Sequence, residues 1–214
     1  MNNFDGIIFD VDGTLTSTNS LIFASFKNLG KIFLNKILTD EEIIANFGPP
    51  EDVIIKKWCG SDFERGKQIY YDFYSDNHHM ADLYPGMREA LEFIKAKNVY
   101  LAIFTGKGLR STTISMEKLK ALDYFDFIVA GDEVVNHKPS AEGILKILDK
   151  LKLKKERTLM VGDSPVDILA AREAGVKMAS VVWDSYAKGE VLKMKSDFVF
   201  YTVNELTRFL RDNL

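Results

Sequence analysis

The chain has 214 residues and a mass of 24.3 kDa, room for one domain or for a core with a modest insertion. Hydrophobic residues make up 46% and charged residues 28%, a soluble globular mixture; a net charge of -3 and a pI near 5.7 argue against non-specific nucleic-acid binding, which needs a basic face. A single cysteine, Cys59, excludes an internal disulfide framework and any multi-cysteine metal site, and suits a reducing compartment.

The first apolar run, Phe4 to Phe9, reads as a buried strand. Helical patterns follow over Ser20–Phe33, Asp40–Phe47, Glu51–Trp58 and Asp62–Tyr74, and Leu83-Tyr84-Pro85-Gly86 makes a turn. Beyond it, strand and helix alternate. The spacing predicts helices over Met87–Ala96, Leu109–Leu122, Ala141–Leu151, Pro165–Ala174 and Val203–Leu214. Strands are predicted over Tyr100–Phe104, Phe125–Val129, Thr158–Val161, Met178–Val182 and Asp197–Phe200. Near-continuous apolar strands alternating with helices imply a doubly wound, mostly parallel, Rossmann-like α/β sheet. About ninety residues separate the first two strands of that sheet, far too many for one crossover. The expected organisation is therefore a core of residues 1–15 and 83–214 with an all-helical cap, residues 16–82, inserted after the first strand. No apolar run approaches the roughly 18 residues of a membrane span. Met1-Asn2-Asn3-Phe4-Asp5 places no basic stretch ahead of an apolar one, so neither a signal peptide nor membrane attachment is expected and the cytoplasm is the expected location.

The first strand ends in Asp10-Val11-Asp12-Gly13-Thr14. Ligands of open α/β sheets sit beyond the carboxyl ends of the strands. Two carboxylates placed there need a cation, and hard oxygen ligands suit Mg²⁺. A calcium loop would need a distal Glu, which Leu15 to Ser20 does not supply. The second strand ends in Thr105-Gly106-Lys107, where a hydroxyl and a freed backbone N–H could cradle a phosphate. His137-Lys138-Pro139 follows the third strand, and Lys138 beside carboxylates could neutralise phosphoryl charge. The fourth strand ends in Gly162-Asp163-Ser164-Pro165-Val166-Asp167, a second acidic pair; taken alone it reads first as a helix start, with Asp163 or Ser164 the cap and Asp167 favouring the dipole. Taken singly, each feature has a structural reading. Taken together, four core strands each end in an ingredient of a phosphoryl-transfer site.

This ordered set resembles the haloacid dehalogenase-like hydrolase superfamily, in particular its phosphoglycolate phosphatase-like and pyrophosphatase-like phosphatases with a helical cap. The resemblance covers nearly the whole chain. It implies that Asp10 is the nucleophile, forming an aspartyl-phosphate, and that Asp12 is the acid and then the base. Thr105, Gly106 and Lys138 would bind the phosphoryl group. Asp10 and Asp163 would hold Mg²⁺ with the backbone carbonyl of Asp12, and Asp167 would stand in the shell or one step out. The partner it implies is a small phosphorylated metabolite, phosphoglycolate-like or a sugar phosphate, for an enzyme that is a monomer or homodimer. Inorganic pyrophosphatase and phosphomutase activity of the β-phosphoglucomutase type are the neighbouring readings. A receiver-like or non-catalytic phosphate-binding protein is the alternative from another class. Two departures bear on the substrate: Thr16-Ser17-Thr18-Asn19 stands where many relatives carry an acid, and Gly106-Lys107 where many have Asn after the hydroxyl. Lys107 could meet an anionic substrate or lie in solvent. Phe47-Gly48-Pro49-Pro50 could reach the site or merely break a helix. His78, His79, Cys59 and the aromatic run Tyr70 to Tyr74 read as structural.

Overall fold

The computed structural model describes residues 3–214; Met1 and Asn2, where the reading of the N-terminus and of the core begins, lie outside the described residues. Six strands, β1 (Gly6–Phe9), β4 (Tyr100–Phe104), β5 (Phe127–Val129), β6 (Thr158–Gly162), β7 (Lys177–Val181) and β8 (Phe198–Phe200), form one sheet in the order β5-β4-β1-β6-β7-β8. Every pairing in it is parallel. Two further two-residue strands, β2 (Thr16–Ser17) and β3 (Asp82–Leu83), pair antiparallel with Thr16 opposite Leu83. Among the described residues there are ten α-helices: α1 (Asn19–Phe33), α2 (Asp40–Ile44), α3 (Glu51–Cys59), α4 (Phe63–Asp76), α5 (Met87–Ala96), α6 (Leu109–Lys118), α7 (Glu142–Leu151), α8 (Pro165–Ala174), α9 (Lys188–Lys193) and α10 (Val203–Asn213).

Strand alternation splits the core into two layers. Ile7 and Phe9 of β1 join Leu101 and Ile103 on one face, where α5 and α10 bring Leu91, Ile94, Leu206 and Leu210. Ile8 points the other way, into a layer with Ala102, Phe104 and Met160 that α7 and α8 cover with Ile144, Ile147, Ile168 and Ala171. Both faces of β1 are thus buried, as expected of a central parallel strand. Gly143 lets α7 sit directly on the sheet: a Cβ there would lie 2.1 Å from the Phe104 ring.

Residues between β2 and β3 build a third apolar cluster of their own. Leu21, Phe26 and Leu29 of α1 meet Ile54 and Ile55 of α3 and Tyr70 and Tyr74 of α4. The Tyr70 to Tyr74 segment is packing material, as its spacing suggests; Cys59 is buried in the same cluster, and His78 is buried with its Nε2 3.1 Å from Ser115 Oγ. The interval leaves and rejoins the sheet through β2 and β3, side by side.

Most boundaries fall within two residues of expectation, and the larger shifts are two helices that stop early. The helix expected to reach Leu122 stops at Lys118, because Lys120 turns left-handed at φ +51° and the Arg88 guanidinium takes the Leu119 and Lys120 carbonyls at 2.6 and 3.1 Å. The helix expected to reach Phe47 stops at Ile44. Strand β5 starts at Phe127 because the Asp126 carboxylate instead accepts the Leu101 N–H at 2.8 Å. The short helix α9 was not expected. No helix among the described residues is long and apolar enough to cross a membrane.

Candidate active site

Four loops meet at the carboxyl edge of the sheet around β1. Asp10 follows β1 directly and is buried. Lys138, carried on the long loop after β5, reaches it with Nζ 2.9 Å from the carboxylate, and the same ammonium lies 2.6 Å from Asp167. Asp167 is fully buried in the first turn of α8, where its second oxygen accepts the Ser164 N–H at 3.0 Å and the Ser164 hydroxyl at 2.6 Å. Ser164 is the N-cap residue of α8, as expected of Asp163 or Ser164, and Asp167 stands in its first turn with one oxygen on Ser164 and the other on Lys138. Asp163 sits at the end of β6, its carboxylate 3.3 Å from the Thr14 hydroxyl. Gly13 makes this approach possible: it turns at φ +81°, and a Cβ on it would lie 2.6 Å from an Asp163 oxygen.

Carboxylate oxygens of Asp10, Asp163 and Asp167 lie within 4.8 Å of one another, with one ammonium between them. Burial pushes the Asp163 carboxyl up to about 8, with Asp10 and Asp167 adding to it. Burial likewise raises Asp10 to about 6, although Lys138 pulls the other way. Burial works against the Lys138 charge, yet Asp10 and Asp167 outweigh it and hold the ammonium above the ordinary lysine range. This donor set, all hard oxygen and short of positive charge, fits Mg²⁺. The Asp12 carboxylate stands outside the group.

On the other side of β1, Thr105 follows β4 with its hydroxyl accepting the Lys107 N–H at 3.2 Å, which leaves the hydroxyl proton for a ligand. Lys107 is neither solvent-exposed nor free. Its side chain is 1% exposed, with Nζ 3.3 Å from Asp12, 3.3 Å from Glu51 and 4.9 Å from the centre of the Tyr74 ring. Burial opposes its charge, but Asp12, Tyr74 and Glu51 together hold the ammonium well above the ordinary range. Asp12 also accepts a short hydrogen bond from the Thr18 hydroxyl. Glu51, at the start of α3, accepts the Gly108 N–H at 2.7 Å and the Ser111 hydroxyl at 2.6 Å. Glu51 thus fastens the helical interval to Lys107, Gly108 and Ser111 at the start of α6.

These groups surround a cavity of about 300 Å³. Asp10, Asp12, Thr105, Gly106, Lys138 and Asp163 all line it, and Asp167 lies just behind, bonded to Lys138. Phe47, Gly48 and Pro49 line it too, so the turn between α2 and α3 does reach the site. Sequence reasoning missed Glu51 and left Lys107 undecided. The available signal was faint: an acid opening a helix after Pro-Pro, and a lysine two residues past a strand-end threonine.

A parallel sheet with two acidic loops, a hydroxyl and a lysine gathered at its carboxyl edge defines a hydrolase built for phosphoryl chemistry. The family model described as haloacid dehalogenase-like hydrolase matches residues 7–181, and the chain belongs to that family. It is an enzyme of the phosphatase kind. It is 34% identical over 205 residues to a protein named pyrophosphatase PpaX from Halalkalibacterium halodurans, covering 94% of each chain. A crystal structure from Thermotoga maritima, described as a candidate β-phosphoglucomutase, superposes with a TM-score of 0.79 at 27% identity, covering 99% of this chain and 100% of that one. One from Haemophilus somnus 129pt, described as a predicted phosphoglycolate phosphatase, gives 0.80 over 97% of this chain and 99% of that one; at 23% identity this likeness speaks for the fold.

Proposed function

We propose that the protein is a Mg²⁺-dependent phosphatase acting on a small phosphorylated metabolite through an aspartyl-phosphate at Asp10. The observation that carries this is the pairing of buried Asp10 with Lys138 at 2.9 Å, beside Asp163 and Asp167 and across the cavity from Thr105. In this reading Asp10 attacks phosphorus, and the P–O bond to the leaving group breaks as the new one forms. Asp12 hands its proton to the departing oxygen and then takes one from the water that hydrolyses the aspartyl-phosphate. The Thr105 hydroxyl, the Gly106 N–H and the Lys138 ammonium orient the phosphoryl oxygens and offset their charge. Asp10, Asp163, Asp167 and the Asp12 carbonyl would hold Mg²⁺, which when bound supplies positive charge to the phosphoryl group.

Residues 16–82 act in this reading as the cap, and residues 1–15 with 83–214 as the catalytic core. The separate apolar cluster of α1, α3 and α4, and the narrow β2–β3 crossing, support that division. Burial of Cys59 and the lack of a membrane-spanning helix among the described residues are compatible with a cytoplasmic enzyme. Hydrolysis of p-nitrophenyl phosphate, with Mg²⁺ and with chelator, for wild type and Asp10→Asn, tests the reading. Metal-dependent turnover lost in the variant is expected. Turnover that survives Asp10→Asn would remove the aspartyl-phosphate.

A further inference from the structure

We infer that the substrate is a phosphate monoester whose leaving group is uncharged and presents an apolar face, a single ring or a short chain, rather than pyrophosphate or a second anionic group. The inference rests on the phosphatase reading above and narrows it.

The cavity is two-sided. Its floor, at the sheet edge, holds the acids, Thr105, Gly106 and Lys138. Its roof comes from the helical interval: Ile22 and Phe26 of α1, Ile54 of α3, and Phe47 and Pro49 of the turn before α3. Ile22, Phe26 and Ile54 are buried in the roof's own cluster, so this wall is packed rather than a loose surface. Phe47, partly exposed, stacks on Phe23 with ring centres 6.0 Å apart. A phosphoryl group on the floor directs its leaving group at this roof.

Charge decides against an anionic leaving group. Among the described residues, the basic side chains lining the cavity are Lys107 and Lys138, against the carboxylates of Asp10, Asp12, Glu51, Asp163 and Asp184. Lys138 is held by Asp10 and Asp167. Lys107 is held by Asp12 and Glu51 and has almost no exposed surface. Lys56 and Lys57, the nearest candidates in α3 by sequence, are not part of the lining, and Lys57 is turned to Asn46 at 3.0 Å. With Asp12 protonated as the acid, a divalent cation only balances the remaining carboxylates and leaves no positive charge to spare. A second phosphoryl group or a carboxylate would enter with no cation to meet it and with its hydration lost. An uncharged leaving group loses little there, and an apolar one gains. Asn19 and Tyr186 supply uncharged hydrogen-bonding groups for an alcohol substituent. At about 300 Å³ the cavity stands at the small end of ligand sites.

The test is kcat/KM with Mg²⁺ for ethyl, hexyl and benzyl phosphate, phosphoglycolate and pyrophosphate, in wild type, Asp10→Asn and Phe47→Ala. The three alcohol esters share similar chemistry at phosphorus, so their ranking reports the roof. At roughly fourfold per buried methylene, hexyl and benzyl phosphate should exceed ethyl phosphate by about tenfold or more. Phosphoglycolate and pyrophosphate should fall at or below ethyl phosphate. Phe47→Ala, at a half-exposed position, should lower the benzyl-to-ethyl ratio by roughly threefold or more. A flat ester series, an unchanged ratio in the variant, or pyrophosphate or phosphoglycolate as the best substrate would overturn the inference while leaving the phosphatase reading standing. No Asp10-dependent hydrolysis of any of the five would overturn the phosphatase reading itself.

Discussion

Replacing Lys107 by Met tests what fastens the helical interval to the core. Met nearly matches the length of the aliphatic stem and removes only the charge. Glu51, whose side chain is 8% exposed, would keep the Gly108 N–H and the Ser111 hydroxyl but lose its cation. Asp12, 26% exposed, would lose the same cation and can recover part of the loss from water. Removing one partner of a buried ion pair costs about 3–5 kcal/mol. The closed arrangement of Lys107→Met should therefore be destabilised by about that much, with Glu51 contributing the larger share. Converting both partners, Lys107→Met with Glu51→Gln, removes the stranded charge, and the double variant should recover about 2 kcal/mol relative to the sum of the singles.

The penalty has an escape route, which the assay must follow. If α1–α4 swing away from the core, Glu51 reaches water and its cost disappears. The loss seen in global urea unfolding is then capped by the free energy of that opening. Amide exchange through Glu51–Cys59 sees the opening itself, because those amides then exchange without global unfolding. Lys107→Met should lower stability in urea, or speed exchange in α3 relative to β1, or both. A variant within about 0.5 kcal/mol of wild type by both measures, with no coupling in the double variant, would refute the reasoning.

Three further outcomes are expected. Lys138→Met leaves Asp10 and Asp167 buried without their ammonium; kcat should fall by about a hundredfold or more while circular dichroism stays native, and near-wild-type turnover would remove Lys138 from the site. Gly13→Ala forces a side chain into φ +81° and against Asp163, so melting should register a loss of roughly 1–2 kcal/mol and Mg²⁺ titration a weaker affinity. The folded-state values of Asp163 and Asp10, about 8 and about 6, lie above the ordinary carboxylate value of 3.8. The folded protein then holds protons that the unfolded chain releases, so in chelator the melting temperature should fall as pH rises from about 5 to 8, and Mg²⁺ should reverse most of the fall. A melting temperature that climbs across that window in chelator would contradict the crowding of the acids.

Much of this architecture is written in local patterns. Short apolar runs at β1, β4 and β6 name the central strands because strands covered on both faces can be nothing but apolar. Pro165 and Gly175 bracket α8 at both ends, and the boundaries agree to the residue. The first acidic pair was legible because Gly13 follows it, and the second because β6 ends where it begins. Lys107 was not legible. Its neighbours in sequence suit an exposed loop, and what buries it comes from elsewhere: Glu51 and Tyr74 from the helical interval, and Asp12 from the loop after β1. No local pattern encodes an ion pair between segments dozens of residues apart. The β2–β3 crossing was hidden for a similar reason, since two residues on each side carry no periodicity.

The convergence of the site follows from where the chain starts in the sheet. It begins at the middle with β1, moves to one side through β4 and β5, and crosses back to lay β6, β7 and β8 on the other. The loops after β1, β4 and β6 therefore stand side by side although their sequences are far apart, and a crevice opens where the chain reverses. Asp10 and Asp12 come from the central strand, Thr105 from one neighbour and Asp163 from the other. Lys138 starts from the far strand β5, and only its long loop lets it cross the β4 edge to Asp10 at 2.9 Å. The helical interval enters the chain at the same edge, after β1, and its residues line the cavity opposite the acids. Position in the topology places a roof above the acids; the side chains of α1, α3 and the turn before α3 decide what fits beneath it.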